Sequence, residues 1–257
     1  MFIDTHCHLD AAEFAADRDD VAARTRAAGV SKLVIPAVAR GNFPVVLETC
    51  RRYPGCYPAL GIHPLYVADA QPQDLGILRA AVAEHRPVAI GEIGLDFFVP
   101  GYDREKQEFY FTEQLKIARD FDLPVLIHLR RAQDTVLKYL RRFPVRGGIA
   151  HAFNGSRQQA EAFLKLGCKL GFGGAFTWPR ALNLRELAKT LPLDALVLET
   201  DAPDIPPEFV GKGRNSPEFL PRIAQHLADL RGMSLEELAA ACRANTLAVL
   251  PELEDEK

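Results

Sequence analysis

Short apolar runs alternate with longer amphipathic segments along most of the chain. The apolar runs are rich in Val, Ile and Leu, and there are eight of them. They occupy residues 2–5, 32–38, 56–60, 88–90, 124–127, 148–150, 169–172 and 196–198. Because the runs are continuously apolar instead of alternating with polar residues, they are typical of strands buried on both faces, as in a parallel sheet.

Segments with helical spacing separate these runs. They cover residues 19–28, 43–53, 75–85, 104–121, 133–143, 156–166 and 182–189. A loop rich in proline and glycine follows the eighth run, and two further helical segments, 218–230 and 235–249, come after it. Ser156 is predicted to cap a helix, and Ser234 with Glu237 is predicted to form a capping box.

This alternation of strand and helix predicts the fold class. Eight β-α units in 257 residues fit an α/β protein with a single (β/α)8 barrel of the TIM type and extra C-terminal helices. No linker rich in Ser and Gly interrupts the pattern, so we expect one domain over residues 1–257. In such barrels the active site is built at the carboxyl ends of the strands and in the loops that follow them.

Composition and charge argue against some classes of function. The chain is 48% hydrophobic and 25% charged, with a formal net charge of −3, which is ordinary for a globular protein. This balance argues against a protein that coats nucleic acid by bulk electrostatics. A phosphate substrate stays compatible with it, because bound cations supply local positive charge.

The five cysteines and the apolar runs bear on the compartment. The cysteines are scattered, without CxxC spacing, and are expected to be free thiols in a reducing compartment. The first residues do not resemble a signal peptide, and no apolar run approaches the ~20 residues needed to span a bilayer. We therefore expect a cytoplasmic protein that does not associate with membranes, and we infer no obligate protein partner.

Six metal-compatible residues lie at or just after the ends of the apolar runs. They are His6, His8, Glu92, His128, His151 and Asp201. Successive strand side chains alternate faces, so the two N-terminal histidines are expected on the same side of one strand, about 7 Å apart. Neutral imidazole and carboxylate groups hold divalent cations. We therefore predict that all six residues are metal ligands at one end of the barrel.

Alternatives stay open at several of these positions. The alternative for Glu92 is a buried ion pair with an arginine, since an unpaired buried carboxylate is costly. Glu199 and Asp201 share a strand face if the strand stays regular, so either could be the ligand, and Asp201 is preferred because it is nearer the rim. His63 follows the third run, where it orients a ligand, touches substrate or only caps the strand.

Other residues are candidates for binding an anionic substrate. Arg130 follows His128 closely and is expected to clamp the substrate, although with Arg131 it could simply begin a solvated helix. Arg214 and Asn215, in the loop rich in proline and glycine, are further substrate-binding candidates. Four aromatic residues past strand ends either stack on bases or pack at the rim. They are Phe97, Phe98, Phe176 and Trp178.

A glycine-rich segment, residues 171–174, overlaps the end of the seventh run. It lacks the spacing of the dinucleotide-binding fingerprint. The sequence also contains no P-loop and no GxSxG motif. Nucleotide-cofactor and serine-hydrolase chemistries are therefore not indicated.

The ordered motifs resemble the TatD family of metal-dependent hydrolases. They are Asp4-Thr5-His6-Cys7-His8-Leu9, Gly61-Ile62-His63-Pro64, Gly91-Glu92-Ile93-Gly94-Leu95-Asp96, Pro124-Val125-Leu126-Ile127-His128, His151-Ala152-Phe153-Asn154-Gly155 and Glu199-Thr200-Asp201-Ala202-Pro203. The resemblance extends from residue 2 to about residue 250. The HxH motif alone is common to the wider amidohydrolase superfamily, whereas the ordered set of six is specific.

The resemblance implies a TIM-type barrel with two divalent ions. One ion would be held by His6, His8, Glu92 and Asp201, and the other by Glu92, His128 and His151. The implied activity is hydrolysis of phosphodiesters in DNA, often as a 3′-5′ exonuclease on single strands. Phe97 stands where many members have tyrosine, which removes one hydroxyl contact and leaves the substrate open between single-stranded DNA and another phosphate ester.

Hydrolysis by a water activated between two metal ions is the predicted mechanism. Asp201 is the predicted general base, Glu92 is the second catalytic residue, and His63 with Arg130 would hold the phosphate oxygens. Ligands of this kind suit Zn, Mn, Ni or Mg. The alternative is a metal-dependent esterase, lactonase or deacylase acting on an acyl carbon. A third hypothesis, a metal-stabilised binding protein without activity, would require a closed ligand sphere.

Overall fold

Eight parallel strands form one sheet in which each strand pairs with the next along the chain. The computed structural model describes residues 1–254, and the sheet order is β1 to β8. The strands are β1 Phe2–Asp4, β2 Val30–Pro36, β3 Cys56–Leu60, β4 Ala89–Asp96, β5 Val125–Arg130, β6 Gly148–Ala150, β7 Cys168–Phe172 and β8 Leu196–Leu198. Each of the eight predicted strands is present.

Helices alternate with the strands and two more follow β8. They are α1 Arg18–Ala27, α2 Phe43–Arg52, α3 Gln73–His85, α4 Arg104–Asp120, α5 Gln133–Arg142, α6 Arg157–Lys165, α7 Leu182–Thr190, α8 Leu220–Arg231 and α9 Leu235–Val249. The predicted capping box at Ser234 is confirmed, since its hydroxyl accepts the Glu237 N–H at 3.2 Å. Ser156 caps its helix as predicted, and it also forms a capping box, in which its hydroxyl accepts the Gln159 N–H at 3.1 Å.

The first and last strands meet and close the sheet into a barrel. The Thr5 N–H donates to the Leu198 carbonyl at 3.1 Å, and the Asp201 N–H donates to the His6 carbonyl at 2.8 Å. We call this junction between β1 and β8, with the residues that follow each strand, the seam. Closure of eight parallel strands, with helices between them, confirms the predicted TIM-type (β/α)8 barrel with extra C-terminal helices.

Strand lengths differ from the apolar runs at three places that carry candidate ligands. β1 ends at Asp4, so His6 and His8 lie in the following loop and not on the strand itself. Glu92 lies inside β4 and His128 lies inside β5, so the expectation that they follow strand ends was wrong. A strand is defined by backbone pairing with its neighbours, and that pairing continues past the apolar residues.

An apolar cluster fills the barrel at the end opposite these residues. It takes side chains from seven strands and is covered by residues at and after the end of α9. Its strand members are Ile3, Val34, Ala59, Ala89, Leu126, Ile149 and Val197, and its covering members are Val249, Leu250 and Leu253. We call this cluster the floor, and the end formed by the carboxyl ends of the strands the mouth.

Several other expectations concern the chain as a whole. All five cysteines are free thiols, as predicted. No helix within residues 1–254 is long and apolar enough to cross a bilayer. The single domain expected over residues 1–257 stays a prediction, and its last three positions lie outside the described residues.

Candidate metal centre

The six residues predicted as metal ligands come together at the mouth around one carboxylate. The Glu92 carboxylate lies 3.2 Å from His6 Nε2, 2.9 Å from His128 Nδ1 and 3.5 Å from His151 Nε2. His63 Nε2 lies 3.4 Å from the same group. On the other side of the HxH pair, Asp201 Oδ1 lies 3.7 Å from His6 Nε2 and 3.8 Å from His8 Nε2.

These side chains form three overlapping groups of donors. Within each group the ligand atoms lie within 4.8 Å of one another. The groups are His6 with Glu92 and His151, His6 with His8 and Asp201, and His63 with Glu92 and His128. Glu92 and His6 each belong to two groups. The Glu92 carboxylate has two oxygens and can bind two neighbouring cations, whereas the neutral imidazole of His6 has one acceptor nitrogen and can bind one.

The donor set fits divalent cations. His6 is fully buried, yet neither of its ring nitrogens has a hydrogen-bond partner within residues 1–254. A buried polar atom without a partner is unfavourable unless something else binds it. Imidazole nitrogens and carboxylate oxygens are the ligands that zinc, manganese, nickel and magnesium accept in proteins. These residues are therefore able to hold the metal that the sequence predicts.

Electrostatics at Glu92 exclude the alternative of an arginine partner. Burial alone would raise the pKa of Glu92, but the facing histidines, among them the hydrogen-bonded His128, hold that pKa well below its ordinary value. Every ion-pair partner of Glu92 within residues 1–254 is a histidine. Glu92 is therefore an ionised carboxylate surrounded by imidazoles.

The imidazoles differ from one another in their protonation. Burial lowers the pKa of His6 and of His63 to about 3, so both rings are neutral. Burial also disfavours the charged form of His151, but the nearby Asp201, Glu199 and Glu92 carboxylates raise its pKa to about 10. Burial raises the pKa of Asp201 to about 6, against the opposing effect of His151 and His8. Neutral rings are the form that binds a cation, so a cation bound by His151 would displace the proton from its ring.

The side chains of Asp201 and Glu199 have different neighbours because the regular strand β8 ends before both residues. The strand ends at Leu198, and the Thr200 N–H donates to Asp4 Oδ1 at 3.0 Å. Asp201 itself has a φ of +57°, a left-handed conformation that aspartate tolerates better than most residues. Asp201 thereby faces the HxH pair, in agreement with the preference stated from the sequence.

Glu199 lies beside His151 instead. Its Oε1 accepts the Ala152 N–H at 2.6 Å and lies 3.4 Å from His151 Nδ1. A Cβ atom at Gly171 would lie 2.0 Å from Glu199 Oε2, so only glycine leaves room for this carboxylate. Gly171, near the end of β7, thus makes space for an acid next to a candidate ligand.

Asp96 is a site residue that the sequence reasoning missed. Its Oδ2 lies 3.0 Å from His128 Nε2, while its Oδ1 accepts the N–H groups of Phe98 at 2.9 Å and Val99 at 3.2 Å. Burial opposes ionisation, but these hydrogen bonds keep the pKa of Asp96 at about 2. Its even spacing from Glu92, which places both on one face of β4, was the available signal.

The centre opens into a cavity of about 980 Å³. Arg130 and His63 line it, as expected for residues that contact substrate. Phe98 also lines it and is 42% exposed. Phe176 is buried, and the Trp178 Nε1–H donates to the Pro206 carbonyl at 3.0 Å, so both pack at the rim. Phe97 packs half-buried against the core.

The structure does not bring Arg214 and Asn215 to this cavity. The Arg214 guanidinium binds the Asp17 carboxylate at 2.6 Å, away from the centre. Asn215 is fully buried, and its amide donates to the carbonyls of Thr200 and Asp204 at 2.8 Å. Both side chains have partners within the protein and neither lines the cavity, so nothing in this arrangement supports their predicted role in substrate binding, which stays a prediction. Asn215 instead fixes the loop that carries Asp201.

Comparisons with known proteins agree with this arrangement. Residues 3–251 match the model of the family described as TatD related DNase. An uncharacterized metal-dependent hydrolase of Escherichia coli, YjjV, is 43% identical over 249 residues, which are 95% of this chain and 96% of that protein. The 3'-5' ssDNA/RNA exonuclease TatD of Salmonella typhimurium is 36% identical over 253 residues, which are 94% of this chain and 96% of that protein.

A solved structure is also similar. The crystal structure of the E. coli TatD homologue YjjV matches with a TM-score of 0.94 and 41% identity, covering 97% of this chain and 98% of that one. Likeness of sequence and of structure extends over nearly the whole chain in each case. The chain therefore belongs to the TatD related DNase family and is a metal-dependent hydrolase of that family.

Proposed function

We propose that this protein hydrolyses phosphodiester bonds in single-stranded DNA, as a 3′-5′ exonuclease that uses two divalent metal ions. The observation that carries the proposal is the position of Glu92, an ionised carboxylate facing four imidazoles at the base of an open cavity that Arg130 lines. The relative in S. typhimurium is named a 3'-5' ssDNA/RNA exonuclease, which favours this substrate over other phosphate esters.

Two groups of side chains would hold the cations. We propose His6, His8, Glu92 and Asp201 for one ion and Glu92, His128 and His151 for the other. Bound divalent cations lower the pKa of water and neutralise charge on phosphate oxygens. The position of Glu92 between the two groups supports its role as the shared ligand.

Asp201 is the proposed general base. Without bound cations, burial raises the pKa of this carboxyl to about 6, so it is ionised at neutral pH, the form that a general base requires. Its side chain keeps 13% exposure at the base of the cavity, where water and substrate reach it. Glu92, at 3% exposure, is less accessible and is better placed to hold ligands than to exchange protons with water.

His63 and Arg130 are the proposed contacts for phosphate oxygens. The Leu65 N–H donates to His63 Nδ1 at 3.1 Å, so the neutral ring carries its proton on Nε2. That N–H is directed towards the centre, where it faces Glu92. Arg130 supplies a permanent positive charge and a planar donor group at the rim.

A metal-dependent cleavage assay tests the proposal. Single-stranded DNA labelled at the 3′ or the 5′ end is incubated with the metal-free protein plus Mg²⁺, Mn²⁺, Zn²⁺ or Ni²⁺, beside a panel of carboxylic esters and lactones. We expect stepwise shortening from the 3′ end with at least one cation. Cleavage of the acyl substrates alone would replace the proposal with an acyl hydrolase, and inactivity on every substrate would refute it.

Two variants give the assay a matched control. We expect Asp201→Asn to lower turnover at saturating metal by roughly 100-fold, the usual contribution of a general base. Asp20→Asn removes an exposed carboxylate on α1 and is expected to match the wild type. Thermal unfolding with and without the cation shows separately whether each protein binds metal, because a ligand that binds only the folded state raises the unfolding temperature.

We also propose the cytoplasm as the compartment. The five unpaired cysteines support this, because thiols are kept reduced there.

A further inference from the structure

The rim of the cavity carries an aromatic ring stacked with two guanidinium groups. Arg130 Cζ lies 3.7 Å from the centre of the Phe98 ring, and Arg131 Cζ lies 4.7 Å from it. All three residues line the cavity. Phe98 is 42% exposed, so part of its ring surface is open to a ligand in the cavity. We call Phe98, Arg130 and Arg131 the platform.

The platform is held in place by the backbone around it. The Asp96 carboxylate accepts the N–H groups of Phe98 and Val99, and the Phe97 N–H donates to the Arg130 carbonyl at 2.8 Å. Arg131 has a φ of +53°, a left-handed conformation that is uncommon for residues other than glycine. Such conformations persist where the surroundings fix them, often at ligand-binding positions. These backbone contacts therefore hold the platform in one position at the rim.

The charges on the platform are available to a ligand. Within residues 1–254, neither Arg130 nor Arg131 has a carboxylate within ion-pair distance. Other arginines are paired, such as Arg52 with Asp19 at 2.7 Å. A guanidinium group without a carboxylate partner is well suited to bind a phosphate.

One carboxylate links the platform to the candidate metal centre. Asp96 Oδ2 lies 3.0 Å from His128 Nε2, while Asp96 Oδ1 holds the backbone of Phe98. The platform and the centre also line the same cavity, so a strand bound at the centre lies in the opening that the platform borders.

We propose that the platform binds a nucleotide next to the one being removed, with its unpaired base on the Phe98 and guanidinium stack and its phosphate on Arg131. This inference rests on the proposed function, because it assigns a subsite for the same single-stranded substrate. Stacking on an aromatic ring needs a base that is not paired, and it tolerates any sequence. The platform therefore selects single strands longer than one nucleotide without selecting a base.

Kinetics on substrates of different length test this subsite. One substrate is the p-nitrophenyl ester of thymidine 5′-phosphate, which has a single base, and the others are thymidine oligonucleotides of two to eight residues. The variants are Phe98→Leu and Arg131→Gln. We expect each to raise the ratio of the oligonucleotide KM to the ester KM by about tenfold, the loss of one stacked base or one phosphate contact. Arg131→Gln should also reduce the dependence of KM on salt.

Matched controls come from outside the cavity. Phe109→Leu changes another exposed phenylalanine, which is 48% exposed on α4. Arg222→Gln changes an arginine that lies 3.8 Å from the centre of the Phe209 ring. Both are expected to keep the wild-type ratio of KM values. An unchanged ratio in Phe98→Leu and Arg131→Gln would overturn the proposal.

Binding measurements separate this subsite from the proposed function. Fluorescence anisotropy with labelled octathymidylate reports the affinity of each variant whether or not hydrolysis occurs. If the wild type cleaves neither ester nor oligonucleotide, the proposed function fails. The subsite is then still supported by about tenfold weaker binding in both platform variants, and it is refuted if the wild type binds no octathymidylate or if the variants bind it equally well.

Discussion

The floor and the mouth of the barrel are built on the same strands and have opposite chemistry. Leu126, Ile149 and Val197 are apolar members of the floor. Two residues further on, their strands lead to His128, His151 and Glu199 at the mouth. Because side chains two apart on a strand share a face, each strand contributes both layers to the barrel interior. In each strand, the residue that packs in the floor and the residue that faces the mouth are therefore different, so stability and chemistry depend on different side chains.

The two layers also differ in whether their buried side-chain atoms have favourable interactions within the protein. The floor contains only apolar side chains that pack on one another, and their burial stabilises the fold. The mouth contains buried polar atoms without hydrogen-bond partners in residues 1–254, among them both ring nitrogens of His6 and Glu199 Oε2. Such groups lower the stability of the protein itself and are retained where they bind a ligand. Variants in each layer should therefore affect different measurements.

The largest effect on stability is expected in the floor. Leu126 is fully buried, and Leu126→Ala should lower the free energy of unfolding by about 3 kcal/mol through lost burial and a residual cavity. Urea denaturation measures this loss, and turnover per folded molecule should stay near that of the wild type. A fall in turnover comparable to that of a mouth variant would show that the two layers are not separable.

The largest effect on chemistry is expected at Glu92. Glu92→Gln removes the central charge that faces His6, His63, His128 and His151, and turnover should fall by roughly 100-fold or more. Its unfolding free energy without metal should change less than that of Leu126→Ala. Glu84→Gln, on the exposed side of α3, is the matched control. Turnover near that of the wild type in metal-loaded Glu92→Gln contradicts the assignment.

An intermediate effect is expected from Gly171→Ala. The new Cβ would overlap Glu199 Oε2 and displace the carboxylate that lies beside His151. Loss of such an outer partner of a metal ligand weakens metal binding by about tenfold or more. Calorimetric titration of the metal-free protein with Zn²⁺ or Mn²⁺ measures it, and Glu199→Gln should act in the same direction. Equal affinities in both variants and the wild type would leave Glu199 with a packing role only.

The smallest effect is expected outside both layers. Gly76 lies within α3 with no atom near the position of its Cβ. Gly76→Ala should therefore raise the free energy of unfolding by about 0.5 to 1 kcal/mol, because alanine loses less backbone entropy in a helix. Metal affinity and turnover should match the wild type. A loss of metal affinity here would mean that substitutions of glycine disturb the centre in general and not through Glu199.

Much of this architecture follows from local pattern. Buried parallel strands leave continuous apolar runs, so all eight strands and the intervening helices were predicted, with ends within about three residues except at β4, which continues to Asp96. The positions of His151 and Asp201 after such runs also placed them at the mouth. The ends of the strands were harder to predict, because β4 and β5 continue past their apolar runs through polar residues such as Glu92 and His128.

Roles that depend on distant contacts could not be predicted. The sequence alone does not distinguish an arginine that binds phosphate from one that forms an ion pair within the protein. At Arg214 only the structure shows the ion pair with Asp17. The different positions of Glu199 and Asp201 depend on the left-handed backbone at Asp201 and on space at Gly171. Asp96 is a single acid at the end of an apolar stretch, and only the position of His128 gives it a role.

The seam has a consequence for protein synthesis. His6 follows the first strand and Asp201 follows the eighth, and they come together only when those strands join. A nascent chain that still has its eighth strand inside the ribosome has the histidine pair but not the carboxylate opposite. Hydrolytic capacity is thus expected to arise only when the barrel closes.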